Sequence, residues 1–235
     1  MDKYSLYARI YPMVIFLIPG IIFGISCSVE LEKYGHIATT LGISAALLYL
    51  LSNLGRDRGK KREAEMWKKW GGMPSAQLLY YKNKTIDAYT KRKYHEKLLQ
   101  LSPIPTNVDF EKVDFEEICE VYRHWSKYLI TKTRDRKVYP LIFEERVNYG
   151  FRRNLWGLKP LGIVFSFATL LGNYAYYGCI VGFEKIEQYP TAFYVSESIL
   201  LILLIFWVFV VKEKWVKIPA FAFAERLLES IDTIE

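Results

Sequence analysis

The sequence predicts an all-α integral membrane protein with four transmembrane helices in two hairpins and a helical cytoplasmic domain. Four apolar stretches carry that prediction: Ile10 to Val29, His36 to Leu54, Pro160 to Phe183 and Ala192 to Val211. Each has about 18 to 24 residues, enough to cross ~30 Å of hydrocarbon at 1.5 Å per residue. A soluble helix seldom stays apolar on every face for so long, because one side meets water. The second observation is the charged middle, residues 55 to 159, with about two dozen Lys and Arg against roughly fourteen Asp and Glu.

These features divide the chain into a first transmembrane hairpin (1–54), a basic helical domain (55–159), a second hairpin (160–211) and a C-terminal amphipathic helix (212–235). Lys and Arg near membrane ends are retained on the cytoplasmic side. The two short connections are slightly acidic, with Glu30 and Glu32 in one and Glu184 and Glu187 in the other. The basic block, and both termini with it, is therefore expected in the cytoplasm, in a cell inner membrane. The sequence pI of about 9.1 belongs mainly to that block. It points to anionic lipid headgroups as first partner, with nucleic acid or nucleotides second. The first apolar run is long and lacks a small-residue cleavage site, which reads as a span and not a removable signal.

Taken in order, Pro12 and Pro19 predict a kinked first span. Arg56 to Trp70 reads as a charged helix stopped by Gly71, Gly72 and Pro74, after which Ser75 is placed to cap a short helix. A basic amphipathic helix follows from Ile86 to Leu101. Phe115, Ile118, Cys119, Tyr122, Trp125 and Leu129 then recur at three and four residue intervals, one apolar stripe of a long helix. Asp114, Glu116 and Glu117 lie at its start, where the helix dipole favours them. Lys132 to Tyr139 reads as extended, and a helix begins at Leu141 with Phe143, Val147, Phe151 and Leu155 four apart. Pro219 is placed to open the last helix, whose apolar face is Phe221, Ala224, Leu227, Leu228 and Ile231. An echo of Arg56-Asp57-Arg58 in Arg134-Asp135-Arg136 is compatible with duplication, but independent basic juxtamembrane segments are the simpler reading.

Candidate functional residues concentrate in the spans. Glu197 is an acidic residue inside a span, where a carboxylate costs on the order of 2.5–3.5 kcal/mol at the helix centre. With Asn173 it would line a polar cavity or an oligomer axis, or else be quietly satisfied near the interface. Gly20 with Gly24, and Gly178 with Gly182, have the small-xxx-small spacing that lets helix backbones approach, and predict a homo-oligomer. Arg56, Arg58, Arg152 and Arg153 are expected to contact headgroups. His36, His95 and His124 lack zinc-site spacing, and Gly71-Gly72 lacks the context of a phosphate loop. No catalytic residue, cofactor site or metal site is expected. Cys27 and Cys179 lie near the outer ends of their spans, positions open to a disulfide, and read first as isolated buried thiols.

Two short hairpins around a basic helical domain resembles the small polytopic inner-membrane components of bacterial anti-phage defence systems. These include the four-span subunit of Kiwa and the membrane effectors of retron and cyclic-nucleotide systems. The resemblance covers the whole architecture, rests on no diagnostic motif and transfers no residue. It implies a partner that senses infection and a membrane that is perturbed or monitored, although no sensor fold is appended. The leading expectation is a non-enzymatic oligomeric defence effector or sensor, with a cytoplasmic protein partner. The alternatives are a small transporter or channel, and a lipid-modifying enzyme using Arg56, Asp57, Arg134, Asp135, Arg152 and Arg153.

Overall fold

The computed structural model describes residues 3–28, 37–104 and 108–234, with side chains from residue 52 onward in the second of these segments. All regular structure among them is helical. Eight principal helices follow in chain order: α1 Tyr11–Ser28, α2 Ile37–Trp70, α3 Pro74–Leu79, α4 Ala88–Leu101, α5 Phe115–Lys132, α6 Pro140–Val181, α7 Thr191–Ile205 and α8 Glu213–Glu229. Wide π turns precede α1 at Leu6–Ile10 and follow α7 at Phe206–Val210. Three helical stretches, Lys3–Cys27, Pro140–Val181 and Thr191–Val210, are long and apolar enough to cross a membrane. The predicted second span, His36 to Leu54, falls on the first half of α2, mostly at positions whose side chains lie outside the described residues.

The chain forms two compact units, Met1–Lys61 with Gly150–Trp215, and Arg62–Tyr149 with Val216–Glu235. The first, apolar unit is built on α1, α6 and α7. Its core includes Met13, Leu155, Leu158, Trp207 and Val211, with Phe16 and Ile163 packed beside them. Pro12 has no N–H to offer the Ala8 carbonyl four residues earlier. That carbonyl instead accepts from Asn154 Nδ2 of α6 at 2.6 Å. Tyr177, Tyr189 and Phe193 form a separate aromatic cluster. The third predicted span is not a separate helix beginning at Pro160, because α6 runs unbroken from Pro140 through Pro160 to Val181. It ends at Gly182, whose φ of +108° disfavours any side chain.

The second, charged unit has its own core, centred on the stripe read from the sequence: Ile118, Tyr122, Trp125 and Leu129 are each 0–1% exposed. Leu78, Leu79, Leu98, Leu227, Leu228 and Ile231 close around it. The C-terminal helix therefore packs inside this unit through the predicted apolar face. Three local expectations are corrected. Ser75 does not cap α3: Pro74 occupies the first turn, and the Ser75 hydroxyl lies 2.8 Å from that of Ser126. Lys132 to Tyr139 is a turn, not extended, because the Asp135 carboxylate accepts the Lys137 N–H at 2.8 Å and the Asp135 carbonyl accepts the Tyr139 N–H at 2.9 Å. Pro219 lies within α8 instead of opening it, since the helix starts at Glu213.

Candidate functional site in the apolar unit

Three elements place polar side chains together among apolar surroundings. Asn173 and Tyr177 lie one turn apart on α6, Ser26 is on α1, and Ser196 and Glu197 are on α7. The Asn173 Nδ2 group donates to Ser196 Oγ at 3.0 Å and to Glu197 Oε2 at 2.8 Å. Ser196 Oγ lies 3.0 Å from Ser26 Oγ, and the Tyr177 hydroxyl donates to the Ser26 carbonyl at 2.9 Å. Tyr176 donates to the neighbouring Cys27 carbonyl at 3.1 Å. The structure thus brings the two predicted intramembrane residues, Glu197 and Asn173, into direct contact and adds Ser26, Tyr177 and Ser196 to them.

The environment decides what this cluster does energetically. Asn173 is fully buried and Glu197 half-buried. Asn173 Oδ1 has no hydrogen-bond partner among the described residues. An amide between helices that satisfies a carboxylate with one end and leaves the other unspent ties a polar network to one helix arrangement. Individual interhelical bonds in membranes average ~0.6 kcal/mol and reach about 1–2 kcal/mol. Beside the cluster, a cavity of about 410 Å³ opens between α1 and α7, bordered by Ile22, Ile25, Ser26, Val195, Ser196 and Ile199.

The predicted glycine pairs take different positions. A Cβ on Gly20 would meet the Phe165 ring at 2.8 Å, so Gly20 makes room for α6, whereas one on Gly24 would meet nothing within 4 Å among the described residues. Gly178 is covered by the Phe183 ring, and Gly182 is the turn already described. The close backbone approach in this unit instead joins Gly59 of α2 and Gly157 of α6. A Cβ on Gly157 would lie 2.5 Å from the Gly59 nitrogen, and one on Gly59 would lie 2.5 Å from Asn154 Oδ1. These glycines sit in charged sequence, where spacing rules tuned to apolar spans pass over them.

The basic residues also separate. Arg58 is exposed and Arg56 half-buried. Arg153, expected at headgroups, is only 6% exposed and reaches Asn154 Oδ1 at 3.3 Å. Arg152 donates to the Trp215 carbonyl at 3.0 Å and lies over the Trp215 ring at 4.8 Å. Lys159, not singled out by the sequence, donates to the carbonyls of Val208 and Val211 at 3.0 and 2.7 Å and so satisfies the end of the π turn after α7.

The charged unit holds a second, buried polar group around His95, of which the sequence showed only that it lacks zinc-site spacing. His95 Nε2 lies 2.9 Å from the Leu79 carbonyl, with Phe110, Tyr122 and Trp125 around the ring. Burial pushes its pKa down from 6.5 to about 4, the Leu79 carbonyl opposing and Lys91 adding to the effect. Lys91 is itself 1% exposed, donates to the carbonyls of Tyr80, Tyr81 and Asn83, and is lowered by desolvation with Asp87 opposing. His124 meets Ser102 Oγ at 2.9 Å. No group of three or more His, Cys, Asp or Glu among the described residues could hold a metal ion.

Comparison with protein-family models, with curated proteins and with solved structures finds no match to this chain.

Proposed function

We propose that this chain is a non-enzymatic, self-associating protein of the bacterial inner membrane. It crosses the bilayer four times with both termini inside, and couples a cytoplasmic signal or partner to the packing of its spans in anti-phage defence. The observation that carries the reading is the Asn173–Glu197 contact at 2.8 Å. An ionisable residue within a span is costly, and it is retained where it governs how helices or their contents are arranged. The cluster links three helices through bonds of order 1 kcal/mol each, small enough for a partner's differential binding to shift the arrangement.

The reading is tested in cells carrying the wild-type chain, Glu197→Leu or Asn173→Leu at matched membrane levels. Phage protection and uptake of a membrane-impermeant dye are followed after infection. Protection by the wild type that either substitution removes supports it. Variants that protect as the wild type does, or a wild type without effect on phage growth, contradict it. A transporter or channel is the second reading, favoured by the cavity of about 410 Å³, but aliphatic side chains dominate the lining of that cavity.

A further inference from the structure

We infer that the turn between α5 and α6 is a docking surface for a protein segment carrying an apolar side chain flanked by Asp or Glu. Residues 132 to 137 hold four cations, Lys132, Arg134, Arg136 and Lys137, against the single carboxylate of Asp135. That carboxylate is engaged by the Lys137 N–H, which fixes the backbone of the turn that carries the cations. Directly after them, Val138 is 64% exposed and Leu141 57% exposed. The cations and an exposed aliphatic pair thus adjoin on one surface, apolar contact beside positive charge.

The same two residues form one wall of a cavity of about 230 Å³, whose other side is Arg226, Glu229, Ser230 and Thr233. Arg226 and Glu229 are paired at 2.7 Å, so the far wall is fixed as well. A cavity of this size admits one large side chain. Its far rim is internally satisfied, with Arg226 held by Glu229 and the Ser230 and Thr233 hydroxyls donating to backbone carbonyls, so the cations of residues 132 to 137 are left to meet the carboxylates of the segment that brings the side chain in. The cavity is concave and mainly apolar with charged residues at its rim, a shape that receives a single side chain. Charge complementarity sets the sign of the partner.

The inference rests on the reading that the charged unit receives a protein partner, and it specifies where and with what chemistry. The test uses the purified full-length chain in nanodiscs, panned against a displayed library of random peptides of about twelve residues. The recovered sequences are remade as fluorescent peptides and titrated by anisotropy. Enrichment of an apolar residue flanked by Asp or Glu is expected. Affinity should fall by roughly tenfold or more in Val138→Asp with Leu141→Asp, and in Arg134→Glu with Lys137→Glu, and should weaken with added salt. All four positions are exposed, so these variants keep the fold, which circular dichroism verifies. Absence of enrichment, or peptides that bind both variants as well as the wild type, overturns the inference. So does a Val138→Cys thiol shielded from maleimide by phosphatidylglycerol nanodiscs and not by peptide, which assigns the surface to lipid. Peptide binding is read on purified protein and phage protection in cells, so either claim fails without the other.

Discussion

Asn173 Nδ2 of α6 lies 2.8 Å from Glu197 Oε2 of α7, and the same nitrogen lies 3.0 Å from Ser196 Oγ. One amide thus satisfies both polar side chains of the Ser196-Glu197 pair and, through the Ser26 hydroxyl, reaches α1.

Replacing Asn173 by Leu is therefore expected to destabilise the apolar unit by about 1–2 kcal/mol, because it removes two interhelical bonds and strands the carboxylate. Glu197→Gln keeps an acceptor for the amide and should cost less than about 1 kcal/mol. Unfolding of the reconstituted protein by steric trapping or mixed-micelle titration measures both. Equal stability of Asn173→Leu and the wild type would show that the pair holds nothing together.

Glycine substitutions should split by position. Gly157→Leu forces side-chain atoms onto the Gly59 backbone, 2.5 Å from the first added carbon, and should cost ~3 kcal/mol or more. Gly24→Leu places its first added carbon more than 4 Å from every described neighbour and should leave thermal unfolding of the detergent-solubilised protein unchanged. A drop in its oligomeric mass by light scattering would locate the proposed contact between copies on α1. Retained mass would exclude that face.

His95 makes the charged unit acid-sensitive. Its folded pKa of about 4 lies below the 6.5 of the exposed side chain, so between these values the unfolded chain binds more protons and stability rises with pH. The contribution is complete above pH 6.5, falls as pH drops towards 4, and amounts to on the order of 3 kcal/mol at 1.36 kcal/mol per unit. Urea unfolding of the full-length protein between these pH values measures the slope. His95→Gln should flatten it, and an unchanged slope would assign the acid sensitivity elsewhere.

Arg152→Lys loses both planar stacking on Trp215 and the guanidinium geometry that reaches its carbonyl, and is expected to cost about 1 kcal/mol. Arg58→Lys should be neutral, since Arg58 is exposed. Thermal unfolding of the two variants in one detergent compares them directly. Equal tolerance would make the two charges equivalent, with headgroup attraction as the common role of Arg152 and Arg58.

What the sequence made legible was apolar patterning. The stripe of Ile118, Tyr122, Trp125 and Leu129 is a core because spacing at three and four residues leaves one face no alternative to burial. Three of the four apolar stretches coincide with helices long enough to cross a membrane. Glu197 was visible because a carboxylate in such a run is costly, and Asn173 stood out for the same reason. Its particular partners depend on the rotation of α1, α6 and α7 about their axes, which local sequence does not encode. Prolines misled in two places. At Pro160 and Pro219 the loss of one N–H and the strain on the preceding turn are outweighed by packing on both sides, so the helices continue. Gly59 and Gly157 escaped notice because their small size serves a crossing inside charged sequence. Arg153 reads as a headgroup-facing cation, yet it is buried, and Lys159, which the sequence did not single out, satisfies helix-end carbonyls.

The central claim is the orientation of the chain in the membrane, on which the cytoplasmic partner and the coupling both depend. Single cysteines at Lys112, in the charged unit, and at Glu187, between the last two apolar helices, are introduced into a chain in which Cys27, Cys119 and Cys179 are replaced by Ala. Intact cells are then treated with a membrane-impermeant maleimide. The account predicts labelling at position 187 in intact cells and at position 112 only after the membrane is opened. Labelling at position 112 in intact cells would contradict it.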